Sequence, residues 1–173
     1  MIFCILAFIT LFISICIKDR KKSLIVQRLN CFFKGLYDLW INAYTAAAID
    51  LVNVIRSSFF IKKEKFSKKV YFALLIIFET IIVISCIFTW EGLFCLLPTL
   101  ASMIRTFCLW HSNMKYVRFS GILSGLLFAL YYIYYNGWLM AIGYIILIFV
   151  SLYNVLKVDF IPYFLNKKKA NKE

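Results

Sequence analysis

The Lys and Arg residues of this chain stand in four clusters with apolar runs between them. That spacing limits the folds open to it more than any other feature does. Sixteen of the 20 cationic residues belong to the clusters: Lys18, Arg20, Lys21 and Lys22; Lys62, Lys63, Lys65, Lys68 and Lys69; Lys115 and Arg118; Lys157, Lys167, Lys168, Lys169 and Lys172. A membrane-spanning helix needs about 20 residues at about 1.5 Å each, and each intervening run is long enough for one or two crossings. With 64% hydrophobic residues and a mean hydropathy of +0.86, 173 residues could not hide their apolar surface inside a water-soluble fold. The net charge of +12 by itself resembles a nucleic-acid-binding footprint. The cations cap apolar runs, however, and so point to a lipid bilayer as partner and to no nucleic acid.

The run from 24 to 60 is too long for one crossing and is expected to fold back at Asn42-Ala43-Tyr44-Thr45. Asn136-Gly137 has turn chemistry of the same kind. Seven spans result, near 1–17, 24–41, 44–60, 70–89, 93–110, 119–135 and 138–158, all helical. No basic segment precedes the first, which reads as a retained span and not a cleaved leader. With seven spans all four basic clusters fall on one side. The other side holds the N-terminus, 42–44, 89–92 and 136–138, without one Lys or Arg. The positive-inside rule then puts the N-terminus outside and the C-terminus in the cytoplasm. A composition rich in Lys, Asn, Ile and Phe suggests a bacterium with an AT-rich genome, and hence its inner membrane.

Residues 112–154 echo an earlier stretch at an offset of 94: Lys115 falls on Lys21, Tyr131 on Tyr37, Asn136 on Asn42 and Trp138 on Tyr44. The expected organisation is an all-α polytopic membrane protein of two parallel three-helix repeats, 1–60 and 93–158. Between them lies 61–92, a basic loop plus linker span, and 159–173 is a basic tail. Parallel repeats of this kind occur in transporters, with the solute site at mid-membrane between the halves. The copies differ in chemistry: Lys34 maps to Phe128, Asp38 to Tyr132 and Asp50 to Tyr144.

A charge inside a bilayer costs roughly 2.5–3.5 kcal/mol on insertion scales and therefore calls for a partner or a wet cavity. Seven residues meet this condition: Arg28, Lys34, Asp38, Asp50, Arg56, Glu79 and Arg105. Lys34 and Asp38 are four apart on one helix face and can pair. Arg105 needs an anion, which Asp50 or Glu79 would supply. Arg28 and Arg56, near the inner ends of their spans, are expected to snorkel to headgroups. Asp50 and Asn53 share a stripe and, with Ser151 and Asn154 of the seventh span, form the candidate solute contacts. Tyr131 and Tyr134 are expected near an outer gate. Gly121 and Gly125 form a small-residue stripe for close helix contact, within the chain or in a homo-oligomer. Pro98 is expected to kink the fifth span or free a backbone carbonyl. Six cysteines without C-x-x-C spacing and one His offer no zinc site. No phosphate loop, nucleophile elbow or Ser/His/Asp set is present, so neither an enzyme nor a cofactor is expected.

Several local sequences match a known pattern. They are Lys21-Lys22-Ser23-Leu24-Ile25, Leu39 through Ala43-Tyr44-Thr45-Ala46-Ala47, Arg56, Leu97-Pro98, Thr106, Trp110, Arg118 and the Tyr131–Asn136–Gly137 turn. In these the chain resembles the YgjV-like bacterial inner-membrane proteins over nearly its whole length. It departs from them where Lys34 and Phe128 replace Trp and Asn42 replaces Gly. More distantly, the three-one-three layout is similar to the SWEET and PQ-loop facilitators, with Pro98 as the residue-level likeness and Cys4 at the equivalent first-copy position. The expectation is a small-solute facilitator or carrier with a cavity between the halves. The alternative is a non-transporting accessory or immunity-type protein that binds another membrane protein.

Overall fold

The computed structural model describes residues 2–17, 19–62, 66–111 and 114–160. Seven α-helices run in order: α1 (Ile2–Cys16), α2 (Arg20–Trp40), α3 (Tyr44–Ile61), α4 (Lys68–Phe88), α5 (Leu96–Trp110), α6 (Met114–Tyr134) and α7 (Trp138–Asn154). A 3-10 turn, Leu93–Cys95, leads into α5, and a π-helical segment, Val155–Phe160, follows α7. The described residues contain no strand. The tail beyond 160 lies outside the described residues.

Capping chemistry sets the helix starts. Asp19 accepts from the Lys21 N–H at 2.9 Å, so most of the expected basic turn is the first turn of α2. Ser67 accepts from the Val70 N–H at 3.4 Å and opens α4 in the same way. Pro98 sits in the first turn of α5, where a missing N–H costs nothing. The ends of α2 and α6 are built alike, position by position at the offset of 94. Asn42 and Asn136 both take the left-handed conformation, at φ 59 and φ 54. The Ala43 N–H donates to Asp38 O and the Gly137 N–H to Tyr132 O, at 2.9 and 2.8 Å. This is the six-to-one bond of a Schellman motif, and it satisfies the last orphan carbonyls of each helix.

In the tertiary fold α1, α2 and α3 pack in sequence, and so do α5, α6 and α7. Contacts of α3 with α5 and of α1 with α7 close the ring, and α4 straps across α3 and α5. One stripe of α4, Tyr71, Leu75, Phe78, Ile82 and Cys86, is buried, while Phe72, Ile76, Ile77, Ile84, Ile87 and Phe88 face outward. Large apolar side chains are exposed along the helices while Lys34, Asp38, Asp50 and Arg56 are buried, the reverse of a water-soluble protein. Five helices, α3 to α7, are long and apolar enough to cross a membrane. Apolar α1 is shorter, and α2 carries its polar residues on a seam turned inward. The Gly121–Gly125 stripe seats α7: a Cβ on Gly121 would lie 3.1 Å from Ser151 Oγ, and one on Gly125 3.0 Å from Ile148. The close contact is thus within the chain.

Candidate functional site

The centre of the ring is polar. Gln27, Asn30, Lys34 and Asp38 of α2 are all buried, and their spacing of three, four and four puts them on one helix face. Lys34 Nζ lies 3.3 Å from Asp38 Oδ2 on its own helix and 2.7 Å from Asp50 Oδ2 on α3. The second contact ties the two helices. Asn53, one turn beyond Asp50, donates to Asp50 Oδ1 at 3.4 Å and to Ser102 Oγ of α5 at 2.8 Å. Ser102 Oγ donates back to Asn53 Oδ1 at 3.1 Å.

The second half meets this network through aromatic rings. Lys34 Nζ sits 4.3 Å from the centroid of Phe128, a cation–π contact, and the Tyr132 hydroxyl donates to Asp38 Oδ1. Tyr144 packs against both rings, its centroid 5.1 Å from Phe128 and 5.7 Å from Tyr132. Lys34 and Phe128 are 94 residues apart, as are Asp38 and Tyr132. Each of these first-half charges touches its own sequence counterpart.

Arg56 is buried, 1% exposed, where the sequence suggested a snorkelling cation. Its Nη1 donates to Thr106 Oγ1 and, at 3.5 Å, to Ser102 O. The packing of α3 on α5 turns it inward, toward a hydroxyl and a backbone carbonyl that a single sequence could not assign to it. Arg105 does not take the carboxylate expected for it. With the Gln27 amide oxygen turned to the guanidinium, Gln27 accepts from Arg105 Nε at 2.6 Å. Glu79 is half-buried on α4, and its Oε2 has no hydrogen-bond partner. Among the described residues the buried ion pairs are the two made by Lys34.

A cavity of about 10 Å³ lies at this centre, lined by Lys34, Asp50, Asn53, Arg56, Arg105 and Tyr144 among others. It has room for roughly one water molecule. Its polar wall comes mainly from α2, α3 and α5, with Phe128 and Tyr144 closing the side toward α6 and α7. Asp50 and Asn53 are in the wall. Ser151 is not, since it is buried against Gly121. The side chain of Asn154 lies outside the described residues. Tyr131 is buried among Tyr132 and Tyr135, and Tyr134 is exposed and stacked on Phe94 at 3.8 Å. Among the described residues no group of three or more His, Cys, Asp or Glu is placed to hold a metal ion.

Sequence reasoning missed Glu91, the lone acid in the 89–92 turn. Its carboxylate accepts from the Tyr44 and Thr45 N–H groups at 2.8 and 3.3 Å, at the positive end of α3. It also accepts from the Tyr135 hydroxyl. Burial, and then the bond to Glu91, hold the Tyr135 phenol above its ordinary range. The three turns without Lys or Arg therefore meet at one end of the bundle. The available signal was an acid alone in a short turn.

A helical ring with an apolar exterior and a buried ionic centre defines a polytopic integral membrane protein. Residues 1–159 match the Imp-YgjV family, described as bacterial inner membrane protein, and the chain belongs to that family. No curated protein and no solved structure matches it.

Proposed function

We propose that this protein is a small-solute carrier or facilitator of the bacterial inner membrane, built from two parallel three-helix repeats joined by α4. The N-terminus is outside and the C-terminus cytoplasmic, as the one-sided basic clusters require. The observation that carries the reading is the Lys34–Asp38–Asp50 cluster at bilayer depth, touching its counterparts Phe128 and Tyr132 in the second half. Equivalent residues meet each other where a two-fold axis passes between repeats, and transporter sites lie at such interfaces. Ionic groups are costly there and their retention points to function. Asp50 and Asn53 are the solute contacts, and the Glu91–Tyr135 bond closes the outer end. In this state the site is occluded.

The small cavity also favours a second reading, a non-transporting partner protein whose filled interior serves only to hold its shape. Uptake and efflux of a solute panel in reconstituted vesicles, wild type against Asp50→Asn, separates the two. Flux that Asp50→Asn reduces supports the carrier. Absence of flux for every solute supports the partner reading. Flux indifferent to the substitution removes Asp50 from the mechanism.

A further inference from the structure

We propose that Cys86 and Cys95 form a disulfide in the mature protein, made on the outer side of the membrane by exchange with an oxidised dithiol protein. Cys86 lies near the end of α4, on the buried stripe of that helix. Cys95 ends the 3-10 turn that leads into α5. The turn Thr89-Trp90-Glu91-Gly92 folds the chain back between them, and the two Sγ atoms are 3.5 Å apart. That is contact distance for two thiols. A small rotation of the side chains brings the sulfurs to a bonding distance of about 2 Å. The other cysteines whose side chains are described stand on other elements: Cys4 on α1, Cys31 on α2 and Cys108 in the last turn of α5.

Two buried thiols in contact also suit plain packing of small apolar side chains. The compartment decides between the two. The turn at 89–92 carries no Lys or Arg and lies outside in the orientation proposed above, on which this inference rests. Disulfides form and persist in the bacterial periplasm, whereas the cytoplasm keeps thiols reduced. The exchange takes two steps. One cysteine, as thiolate, attacks the donor's disulfide; a mixed disulfide forms and one donor sulfur leaves as thiolate. The second cysteine, as thiolate, attacks the first cysteine's sulfur; the Cys86–Cys95 bond forms and the donor's other sulfur leaves. The pair loses two electrons and two protons, and the donor gains both as its dithiol. Cys86 and Cys95 are buried in the folded chain, so exchange occurs while the α4–α5 hairpin emerges, before packing is complete. Once packed, the bond is shielded from reductants. The loop it closes, 87–94, holds Thr89 and Glu91, which bind the start of α3 and the hydroxyl of Tyr135. The disulfide thus fastens the turn through which the two halves meet at the outer end.

The test counts oxidised thiols in the full chain, expressed in a bacterium with an oxidising periplasm. Cells are quenched in acid, free thiols of the denatured chain are blocked with N-ethylmaleimide, and the chain is then reduced and labelled with polyethylene glycol maleimide. Two labels on the wild type are expected, with peptide mass spectrometry linking Cys86 to Cys95. Cys86→Ser and Cys95→Ser each take none, and Cys31→Ser and Cys108→Ser still take two. Reducing the purified wild type in nanodiscs lowers its unfolding midpoint by about 5–10 °C, the effect of opening a short loop, and leaves that of Cys86→Ser where it was. A wild type that takes no label overturns the proposal, as does a link between any other two cysteines; both readings stand even where a serine variant does not fold. Orientation is read separately from Trp138→Cys, an exposed position in the outer turn before α7, with a membrane-impermeant maleimide on intact cells. Label there without an oxidised pair keeps the orientation and sinks the disulfide. No label there and no oxidised pair removes both. An oxidised pair without flux of any solute keeps the disulfide and removes the carrier.

Discussion

Lys34 Nζ and Asp50 Oδ2 lie 2.7 Å apart, both side chains almost wholly buried, and this contact joins α2 to α3 at the centre of the ring. Removing one member of a buried pair leaves an uncompensated charge and costs about 3–5 kcal/mol. Lys34→Met strands Asp38 and Asp50 together, whereas Asp50→Asn leaves Lys34 with Asp38. Unfolding in detergent is expected to show the larger loss for Lys34→Met. Equal losses for the two variants would mean that Asp38 does not share the lysine.

The Glu91–Tyr135 contact predicts an alkaline signature. A free tyrosine ionises near pH 10, and Tyr135 is held above that by burial and by its bond to Glu91. With the folded value raised, its contribution to stability is fully present below about pH 10. Above that pH the unfolded chain ionises first, and the contribution is lost as pH rises toward the folded value. Thermal unfolding of wild type should therefore fall more steeply above about pH 10 than that of Tyr135→Phe. Parallel curves for the two proteins would count against the contact.

Gly143 marks where α7 meets α1. A Cβ there would lie 2.5 Å from two ring carbons of Phe8, so the ring or the helices must move. Gly143→Ala is expected to cost about 1–3 kcal/mol, the usual range for overpacking. Combined with Phe8→Ala, the same change should cost much less. A double-mutant cycle measures this coupling, and additive losses would show that the two positions are not in contact.

Asn42 and Asn136 hold the same left-handed turn residue in the two halves. Alanine at either position should be less stable than glycine there by about 1–2 kcal/mol, because its Cβ opposes the following carbonyl oxygen in that conformation and it lacks the polar side chain that lets asparagine bond locally. Glycine should be tolerated at both. Paired unfolding midpoints for the four variants check this, and an alanine variant as stable as its glycine partner would contradict the turn geometry.

Much of the fold was legible before any tertiary contact was known. The basic clusters separated seven apolar segments, and all seven form helices within a few residues of the expected ends. The larger shifts, at Arg20 and Met114, occur where basic residues enter the first helical turn, at α2 under an Asp19 cap. The site was legible only in part. Lys34, Asp38, Asp50 and Asn53 stood out because a charge or amide in an apolar span needs a reason. The partners did not. Arg56 read as a snorkelling cation, Arg105 as an ion-pair member, and Ser151 as a cavity residue where it is a seat for Gly121.

The sequence alone determined that the chain lives in a bilayer, how many helices it makes, where they turn, and which residues are too polar to face lipid. Those properties follow from local composition and from the price of exposing charge to hydrocarbon. Only the tertiary structure decided which residues meet. In a bilayer both the lipid-facing and the packed sides of a helix are apolar, so periodicity does not reveal its rotation or its neighbours. Packing alone placed Lys34 over Phe128, turned Arg56 toward Thr106, and brought Glu91 to the start of α3 and the hydroxyl of Tyr135.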